Sequence, residues 1–281
     1  AKDAGCTHVV LEVTSEGMLQ HRHRFINFHT AVFTNLSPEH IERHGSFENY
    51  KRTKGKLFVA AKELHVINVD DEHAPFFLQF PSKQKYLYSI HTKPVESLML
   101  HSIILRAENI KTTNQGTSFT MGGTDIQLKL LGEFNVSNAL AATAVAKSQG
   151  ISFDVCKRAL EKMKVVPGRM ETVVHEPFRV VVDYAFTPAA LEKVYKTFLE
   201  NSAFEIRNSK LICVLGAAGG GRDKWKRPVL GKIAAAYCDR VIITNEDPYE
   251  ENPEKIMNEV REGTQGKGEI IFDRREAIKT A

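Results

Sequence analysis

The chain has 281 residues, enough for two ordinary domains, and its 42% hydrophobic and 26% charged residues are typical of a soluble globular protein. Its net charge of +4 comes from 38 basic and 34 acidic side chains spread along the chain, which argues against a nucleic-acid-binding protein. No apolar run approaches the ~18 residues of a membrane-spanning helix, and there is no signal-peptide pattern, so we expect no membrane contact.

Cysteine usage indicates the compartment. The four cysteines form neither a C-x-x-C pair nor the spacing of a disulfide scaffold, which predicts a reducing, cytoplasmic environment. The chain begins at Ala1, directly before an apolar run, and ends in what we interpret as the first turns of a helix. We therefore interpret it as a piece of a longer protein.

The first predicted elements alternate between strand and helix. Short apolar runs at Thr7–Val13, Ala31–Asn35 and His65–Val69 have the pattern of buried strands in a parallel sheet. Residues Phe47–Ala61 carry apolar side chains at helical spacing and predict an amphipathic helix. Together these elements predict an α/β domain.

The pattern changes after residue 101. Ser102–Leu131 alternates with a period of two and has turn signals at Asn114–Gly116 and Gly122–Gly123, which predicts an antiparallel meander. Two helices follow, at Asn138–Gln149 and Asp154–Lys164. Pro-Gly at 167–168 then breaks the chain, and we place the domain boundary between residues 166 and 167, so that the domains are 1–166 and 167–281.

The second domain again alternates between strands and helices. This alternation predicts a parallel, doubly wound, Rossmann-like sheet with ligands at the carboxyl ends of its strands. The predicted strands are Phe178–Asp183, Lys210–Gly216, Arg240–Asn245 and Glu269–Asp273, and the predicted helices begin at Pro188, at Val229 and after Pro253.

Three residues of the first domain are candidates for a metal site. Glu12 lies near the end of the first predicted strand, His40 follows the second, and Lys54 lies on the next helix. A carboxylate and an imidazole suit Mg²⁺ or Mn²⁺, but a lysine ammonium would repel a cation. Spacing alone favours another interpretation, namely a strand-terminal glutamate, a surface histidine and a solvated lysine.

The segments EVTSEGMLQHR and FTNLSPEHIERHGSFENYKRTKGKLF strongly resemble the Mur ligases, and most of all the branch that adds the third amino acid to UDP-N-acetylmuramoyl-dipeptide. This resemblance implies that Glu12 and His40 bind magnesium and that Lys54 is carried as a carbamate. An anionic carbamate would remove the objection to a lysine in a metal site. The resemblance also implies contacts to the UDP-sugar peptide, made by Thr14, Ser15, Gln20 and Arg22.

The resemblance extends over the whole chain. GEFNVSNALAA, PGRME and VVDYAFTPAALEKV match family motifs whose residues contact the nucleotide, which implies that role for Asn135, Asn138, Arg169 and Asp183. The alternative for the two asparagines is helix capping. LGAAGGGRDKWKRP and NEDPY resemble the loops at the incoming amino acid, and the residues implied there are Arg222, Asp223, Lys224, Glu246, Asp247 and Pro248.

Together, these resemblances imply an incomplete central ATPase domain followed by a Rossmann-like domain, both from an ATP- and Mg²⁺-dependent ligase. Such an enzyme phosphorylates the terminal carboxylate of the UDP-sugar dipeptide, and the amine of a free amino acid then displaces phosphate. We expect a monomer. Because the family's phosphate loop is not in the sequence, we expect the chain alone to bind ATP poorly.

Several positions depart from the family pattern. Phe186 and Ala189 stand where the family has His and Asp, and Glu16 replaces another His. Tyr249 replaces an Arg that grips a carboxylate in ligases using diaminopimelate, which leaves the amino acid open. Two alternatives therefore stand beside the ligase. One is a non-catalytic or partner-dependent protein that binds the UDP-peptide, and the other is a ligase like folylpolyglutamate synthase.

Overall fold

The computed structural model describes residues 2–91, 102–113, 115–200 and 210–281. Its first sheet has four parallel strands that lie in chain order. They are β1 (Thr30–Phe33), β2 (Leu64–Asn68), β3 (Gln84–Ser89) and β4 (Ser102–Arg106). All five residues of β2 are buried, as expected for an inner strand of a parallel sheet. Two of them are polar, and their side-chain nitrogens lie at hydrogen-bond distance from backbone carbonyl oxygens, His65 from that of Ala61 and Asn68 from that of Thr34.

One apolar cluster joins this sheet to the helices that alternate with its strands. Phe33 of β1 stacks on Phe77 at a ring-centroid distance of 3.9 Å, and both pack with Phe58 and Tyr50. The helices are α1 (Ser15–Leu19), α2 (Ile41–His44), α3 (Phe47–Ala60) and α4 (Ala74–Leu78). The Ser46 hydroxyl accepts a hydrogen bond from the Asn49 amide and so begins α3, close to where the sequence predicts it.

A second apolar cluster joins the sheet to an antiparallel meander. The meander strands are β5 (Glu108–Thr113), β6 (Gly116–Met121) and β7 (Thr124–Leu128). Two helices follow, α5 (Glu133–Ser148) and α6 (Phe153–Lys162). Leu140 of α5 packs with Phe119 and Ile126 of the meander and with Val66 of β2. The meander is therefore anchored to the same domain as the parallel sheet.

A short antiparallel pair, β8 (Glu171–Val174) and β9 (Val180–Val182), leads to the last part of the chain. There, three parallel strands lie in chain order and alternate with helices. These elements are α7 (Pro188–Glu200), β10 (Ile212–Leu215), α8 (Lys226–Tyr237), β11 (Arg240–Ile243), α9 (Pro253–Gly263), β12 (Gly268–Ile270) and α10 (Arg274–Thr280).

Two glycines let helices α8 and α9 pack backbone to backbone. A Cβ added at Gly263 would lie 1.8 Å from the carbonyl oxygen of Pro228, and one added at Gly231 would lie 2.0 Å from that of Val260. No side chain can occupy either position without moving a helix. The three-stranded sheet and its helices enclose a core of their own around Val241, Ile243 and Val260.

The predicted fold class, a mixed α/β protein with parallel sheets and a smaller antiparallel sheet, is confirmed. Three predicted strands differ. Thr7–Val13 forms no strand, and Val10 in it is 95% exposed. Ser102–Arg106 pairs in parallel with β3 and so belongs to the first sheet rather than to the meander. Val180–Val182 pairs antiparallel with β8 instead of entering the parallel sheet.

These differences have one physical cause. An apolar run shows that side chains favour burial, but the hydrogen-bonding partner of its backbone lies elsewhere in the sequence. The turn predicted at Asn114–Gly116 lies partly outside the described residues, because Asn114 is not among them. Across the described segments, no helix is both long and apolar enough to cross a bilayer.

Candidate active site

The loop after β1 is held at the carboxyl edge of the first sheet. The side-chain amide of Asn68 donates to the carbonyl oxygen of Thr34 over 2.8 Å, and the amide of Leu36 donates to a carboxylate oxygen of Asp71 over 3.0 Å. Both partners belong to the end of β2 and the residues that follow it. The segment that carries His40 therefore starts from a fixed point at the edge where parallel sheets bind ligands.

Glu12 and Lys54 lie near each other at this edge. Val13 and Lys54 line the same cleft, together with Thr34, Asn35 and Leu36. Burial lowers the pKa of Lys54, while the neighbouring carboxylate of Glu12 acts in the opposite direction. A lowered pKa favours the neutral amine, which is the form of lysine that reacts with carbon dioxide to give a carbamate.

His40 and Lys54 lie beside the same aromatic ring. The Nζ of Lys54 is 5.8 Å from the ring centroid of Tyr50, and the imidazole centroid of His40 is 6.0 Å from it. Burial, with the nearby carboxylates of Glu39 and Asp223, raises the pKa of Tyr50 to about 12, so its hydroxyl keeps its proton at neutral pH. The sequence did not single out Tyr50, although it belongs to the same YKRTK motif as Lys54.

A second histidine that the sequence did not single out lies at this site. The Nε2 of His44 is 3.0 Å from the hydroxyl of Ser15, and its ring centroid is 5.4 Å from that of Tyr50. Burial lowers the pKa of His44, and the positive potential of His40 and Lys54 adds to this effect, so the neutral imidazole is favoured. Its position on the short helix α2, one turn after His40, was the available signal.

A magnesium ion needs several oxygen or nitrogen ligands close together. Across the described ranges, no three His, Cys, Asp or Glu side chains lie close enough to hold a metal. Glu12 offers an exposed carboxylate and His40 a half-buried imidazole. A carbamate on Lys54 would add the anionic oxygens that magnesium prefers. Glu12 and His40 alone are too few ligands for the ion, and they would fit it only with a carbamate on Lys54 as a third.

The four residues predicted to bind the UDP-sugar peptide lie on and after α1. The hydroxyl of Thr14 accepts a hydrogen bond from the Gly17 amide over 3.0 Å and so caps the helix, and Ser15 is buried against His44. Gln20 and Arg22, by contrast, are exposed. Two of the four are therefore engaged in local structure, and two remain available to a ligand.

The two asparagines predicted at the nucleotide lie in the first turns of α5. This helix begins at Glu133, five residues before the predicted start at Asn138. The side-chain amide of Asn135 donates to the carbonyl oxygen of Leu131 over 2.8 Å. That of Asn138 donates to the side-chain oxygen of Asn135 over 3.3 Å. Neither asparagine is the N-cap residue, which is Gly132, so the helix-capping alternative is wrong for both.

Arg169 and Asp183 come together at the β8–β9 pair. A carboxylate oxygen of Asp183 accepts a hydrogen bond from the Met170 amide over 2.8 Å, one residue after Arg169. The guanidinium of Arg169 lies 4.8 Å from the ring centroid of Tyr184. Arg169 is exposed and Asp183 half-buried, so both charged groups can reach a ligand in front of the strands.

The glycine-rich loop and the Glu246–Pro248 segment contact each other directly. The amide of Gly219 donates to the carbonyl oxygen of Asp247 over 2.8 Å, and a Cβ at Gly219 would lie 2.2 Å from the carbonyl oxygen of Pro248. The guanidinium of Arg222 lies 5.4 Å from the ring centroid of Tyr249. The structure therefore brings together the two loops that were predicted to bind the amino acid.

A buried arginine holds this pair of loops from beneath. Arg227 is 0% exposed, and it donates to Glu259 over 2.6 Å and to both carboxylate oxygens of Glu251 over 3.1 and 3.0 Å. It also reaches the carbonyl oxygen of Ala218 over 3.5 Å, in the glycine-rich loop. Sequence analysis did not single out Arg227, because an arginine in a polar motif gives no sign of burial.

Asp223 and Lys224 contact the first domain. The two carboxylate oxygens of Asp223 accept hydrogen bonds from the amides of Ile41 and Glu42 over 3.2 and 3.0 Å, and Asp223 is 3% exposed. The amide of Lys224 donates to the Glu42 carboxylate over 2.7 Å. The carboxylate of Asp223 is thus engaged by the residues next to His40, while the role predicted for it with the amino acid stays a prediction.

A further contact between the domains joins Lys226 to Glu39. The ammonium of Lys226 forms an ion pair with a carboxylate oxygen of Glu39, and both residues are buried. The same ammonium lies 4.9 Å from the ring centroid of Phe186. Neither Lys226 nor Glu39 was singled out from the sequence. Both lie inside motifs noted above, but they are 187 positions apart, and no local sequence pattern predicts a pairing over that distance.

Comparisons with known proteins cover almost the whole chain. The family description "Mur ligase middle domain" matches residues 1–146, and "Mur ligase, glutamate ligase domain" matches residues 168–281. A UDP-N-acetylmuramoyl-L-alanyl-D-glutamate–2,6-diaminopimelate ligase of Halalkalibacterium halodurans is 36% identical over 288 residues, which cover 99% of this chain and 56% of the relative. A UDP-N-acetylmuramyl-tripeptide synthetase of a Roseiflexus species is 36% identical over 307 residues, covering 99% of this chain and 57% of the relative.

Solved structures give the same result. A UDP-N-acetylmuramoyl-L-alanyl-D-glutamate–2,6-diaminopimelate ligase superposes with a TM-score of 0.60 at 31% identity, covering 99% of this chain and 57% of that one. A folylpolyglutamate synthase of Mycobacterium tuberculosis superposes with a TM-score of 0.66 at 21% identity over 92% of this chain and 57% of that one, which shows a shared fold alone. The chain spans about half the length of the curated relatives it matches. It belongs to the Mur ligase family, of which it contains the middle domain and the glutamate ligase domain.

Proposed function

We propose that the chain is part of an ATP- and Mg²⁺-dependent ligase that adds an amino acid to UDP-N-acetylmuramoyl-L-alanyl-D-glutamate in peptidoglycan synthesis. The observation that carries the proposal is that His40 and Lys54 lie beside the Tyr50 ring and that the charge of Glu12 acts on Lys54. Residues of the second domain contact the segment that follows His40. Similarity to ligases of this name along 99% of the chain supports it.

The proposed reaction has two steps. A carboxylate oxygen of the UDP-sugar peptide attacks the terminal phosphorus of ATP, so that an acyl phosphate forms and ADP leaves. The amine of the amino acid then attacks the acyl carbon, phosphate leaves with the bonding electron pair, and the nitrogen loses a proton. The net products are the amide, ADP and phosphate.

Magnesium, when bound, would neutralise charge on the phosphate and carboxylate oxygens. We assign its binding to Glu12, His40 and a carbamate on Lys54. The protein's own contribution is to position the reactants. Asp183 and Arg169 hold the nucleotide at the β8–β9 pair, together with Asn135 and Asn138 on α5. Fixed polar groups of this kind stabilise charge without having to reorganise during the reaction.

The peptide and the incoming amino acid have separate binding residues in this proposal. Gln20 and Arg22 are the exposed groups for the UDP-sugar peptide, with Thr14 and Ser15 supporting them. The amino acid lies at the joined loops, where Arg222 and Lys224 are the cations and Glu246 and Asp247 the acids. A monomeric state and a cytoplasmic location belong to the same proposal.

An amino-acid-dependent phosphate-release assay on the full-length gene product tests this proposal. The acceptor is UDP-N-acetylmuramoyl-L-Ala-D-Glu, and lysine, diaminopimelate and other amino acids are tried in turn. Release that requires one amino acid supports the ligase and identifies its substrate. The absence of release with every amino acid, from a folded protein that still binds the nucleotide-sugar, overturns it.

One observation favours a second candidate, a non-catalytic protein that binds the UDP-peptide. Phe186 stands where the family has a histidine, and its ring lies against Lys226 at the contact between the domains. A phenylalanine can neither transfer a proton nor bind an anion there. The same assay separates the two candidates, because only the ligase releases phosphate. The third alternative is a ligase like folylpolyglutamate synthase. The same phosphate-release assay tests it with folate as the acceptor and glutamate as the added amino acid.

A further inference from the structure

The second domain contacts the residues on both sides of His40. The amides of Ile41 and Glu42, the two residues after it, donate to the carboxylate of Asp223. The residue before it, Glu39, forms the buried ion pair with Lys226. Residues 39, 41 and 42 are thus all engaged by residues 223–226 of the other domain, and His40 lies between them.

The backbone conformation of His40 is one that contacts from the second domain can stabilise. His40 has a φ of 57° and a ψ of 25°, in the left-handed region that residues with a Cβ adopt at a cost. It precedes α2, which has four residues, and the first amides of a helix have no acceptor within it. Asp223 supplies that acceptor from the other domain, because His40 itself makes no capping hydrogen bond.

The ion pair on the other side of His40 is well shielded from water. Lys226 is 4% and Glu39 6% exposed, and the Phe186 ring lies beside the ammonium. Glu39 has a second carboxylate oxygen that is buried and makes no hydrogen bond among the described residues. Such a carboxylate depends on its one cation, and removing either partner leaves a buried charge unpaired.

We propose that Asp223 and Lys226, with Phe186 beside them, are positioning residues for His40, so that closure of the second domain orients the imidazole for its metal ion. The catalytic meaning of this inference rests on the proposed function. Its structural content does not, since the contacts and the backbone of His40 can be measured without turnover. Phe186 contributes to this role only through its ring, which lies 4.9 Å from the Lys226 ammonium.

Amide hydrogen exchange of the segment that contains Ile41 and Glu42 is the first measurement. In Asp223→Ala these two amides lose their acceptor, so we expect faster exchange there and unchanged exchange in β2. We expect Lys226→Met to speed the same amides, although it touches neither of them. Lys232→Met, an exposed lysine on the same helix, is the matched control. Unchanged exchange at Ile41 and Glu42 in both variants would overturn the proposal.

Binding of Mn²⁺ alone, followed by electron paramagnetic resonance in bicarbonate buffer, is the second measurement. Loss of a partner that orients a metal ligand weakens metal binding by roughly tenfold or more, and we expect this for Lys226→Met. Lys232→Met should bind Mn²⁺ like the unaltered protein, and His40→Ala should lose most of the binding. Equal Mn²⁺ affinity in Lys226→Met and the unaltered protein would contradict the positioning role.

A double variant separates positioning from stability. Glu39→Gln with Lys226→Met removes both buried charges, so the melting temperature should recover relative to Lys226→Met, while Mn²⁺ binding stays weak because the domains are no longer linked there. Recovery of Mn²⁺ binding together with stability would reduce the pair to a structural role. If these effects appear in a protein that ligates no amino acid, the proposed function fails and the positioning role stands.

Discussion

Lys54 is the residue on which the proposed chemistry depends most. Its surroundings lower its pKa through burial, and Tyr50 and Glu12 lie beside it. Lys54 is half-buried, and an ammonium at this point would oppose the binding of a cation. The same burial favours the neutral amine, which can react with carbon dioxide. The surroundings of Lys54 therefore shift it toward the neutral amine, the form that carbamate formation requires.

Replacing Lys54 with alanine should lower turnover of the full-length enzyme by about 10²-fold or more, the usual effect of losing a group that stabilises transition-state charge. Lys56→Ala, an exposed residue two positions along the same helix, is the control and should keep normal turnover. Steady-state phosphate release measures both. A ¹³C-bicarbonate label should give a carbamate signal in the unaltered protein and none in Lys54→Ala. Normal turnover of Lys54→Ala would exclude the carbamate role.

Tyr249 bears on the choice of amino acid. The guanidinium of Arg222 lies over its ring, and Tyr249 replaces an arginine of the family motif. Tyr249→Arg would supply a bidentate partner for a second carboxylate, and a good charge-assisted pair contributes about 1.5–3 kcal/mol. We expect kcat/KM for diaminopimelate to rise about tenfold relative to lysine. Glu250→Arg places the same charge one residue away and should not change the ratio. If the ratio of kcat/KM for diaminopimelate to that for lysine were the same in both variants, Tyr249 would not determine the choice of amino acid.

His65 makes stability depend on pH. Its ring is 0% exposed, Nε2 lies 2.7 Å from the carbonyl oxygen of Ala61, and Nδ1 is buried without a partner among the described residues. Burial lowers its pKa below 6.5, so the unfolded chain binds more protons than the folded one. Neutral His65 therefore contributes to the free energy of unfolding. This contribution is fully present above pH 6.5 and is lost as the pH falls through the folded-state pKa of His65.

Urea unfolding should therefore show a fall in the free energy of unfolding from pH 7.5 to pH 5 that is smaller in His65→Gln than in the unaltered protein. His175→Gln, at an exposed position, is the control and should leave the fall unchanged. The pKa of His44 is also lowered by burial, so some of the pH dependence should survive in His65→Gln. An identical fall in His65→Gln and the unaltered protein would contradict the assignment.

At the scale of elements, the contact between α8 and α9 is the tightest in the second domain. Gly263→Ala would place a methyl group 1.8 Å from the Pro228 carbonyl oxygen, so the helices must separate. Overpacking of this kind costs about 1–3 kcal/mol, and we expect the upper part of that range. Glu262→Ala, next to it and exposed, should change stability by less than about 0.5 kcal/mol. Chemical denaturation measures both, and equal stability of the two variants would show that the helices adjust freely.

The sequence predicts best those elements whose structure depends on local signals. Helix α3 and strand β2 lie within a residue of their predicted bounds, because periodicity and capping are local properties. The strand predicted at Thr7–Val13 does not form. The strand predicted at Phe178–Asp183 forms at Val180–Val182 but pairs antiparallel with β8, since pairing depends on distant backbone. The start of α5 was missed because Gly132, its N-cap, has no capping side chain and a φ of 91°.

The candidate site was predictable residue by residue but not in its contacts. Resemblance to a family singled out Glu12, His40 and Lys54, and the structure brings Lys54 and His40 to one aromatic ring. It gave no sign that Asp223 would reach Ile41, because a hydrogen bond across 182 positions has no local pattern. The metal-binding and substrate-binding roles of the residues singled out by the resemblance stay predictions.

On the scale of the whole molecule, the two halves have separate apolar cores and meet through polar groups. The core around Val241 and Val260 shares no residue with those around Phe77 or Leu140. The contacts between the halves include the Asp223 hydrogen bonds and the Lys226 ion pair. Polar interfaces of this kind permit relative motion of domains, and each core can unfold on its own.

Calorimetry should therefore resolve more than one unfolding transition, with a calorimetric enthalpy larger than the van't Hoff enthalpy. Asp223→Ala should move the transitions further apart, because it weakens the link while leaving both cores intact. Lys232→Met should leave the spacing of the transitions unchanged. A single two-state transition in all three proteins would show that the halves unfold together.

The buried arginine beneath the glycine-rich loop also affects how a ligand would bind. A loop with three consecutive glycines would ordinarily sample many conformations, and a ligand would have to select one of them. Arg227 ties the loop at Ala218 to Glu251 and Glu259, and the Gly219 amide is already bonded to Asp247. Part of the loop is thus ordered on folding, before any ligand arrives. If the proposed amino acid binds at this loop, the loop is already held by these contacts, and less of the binding free energy is spent on ordering it.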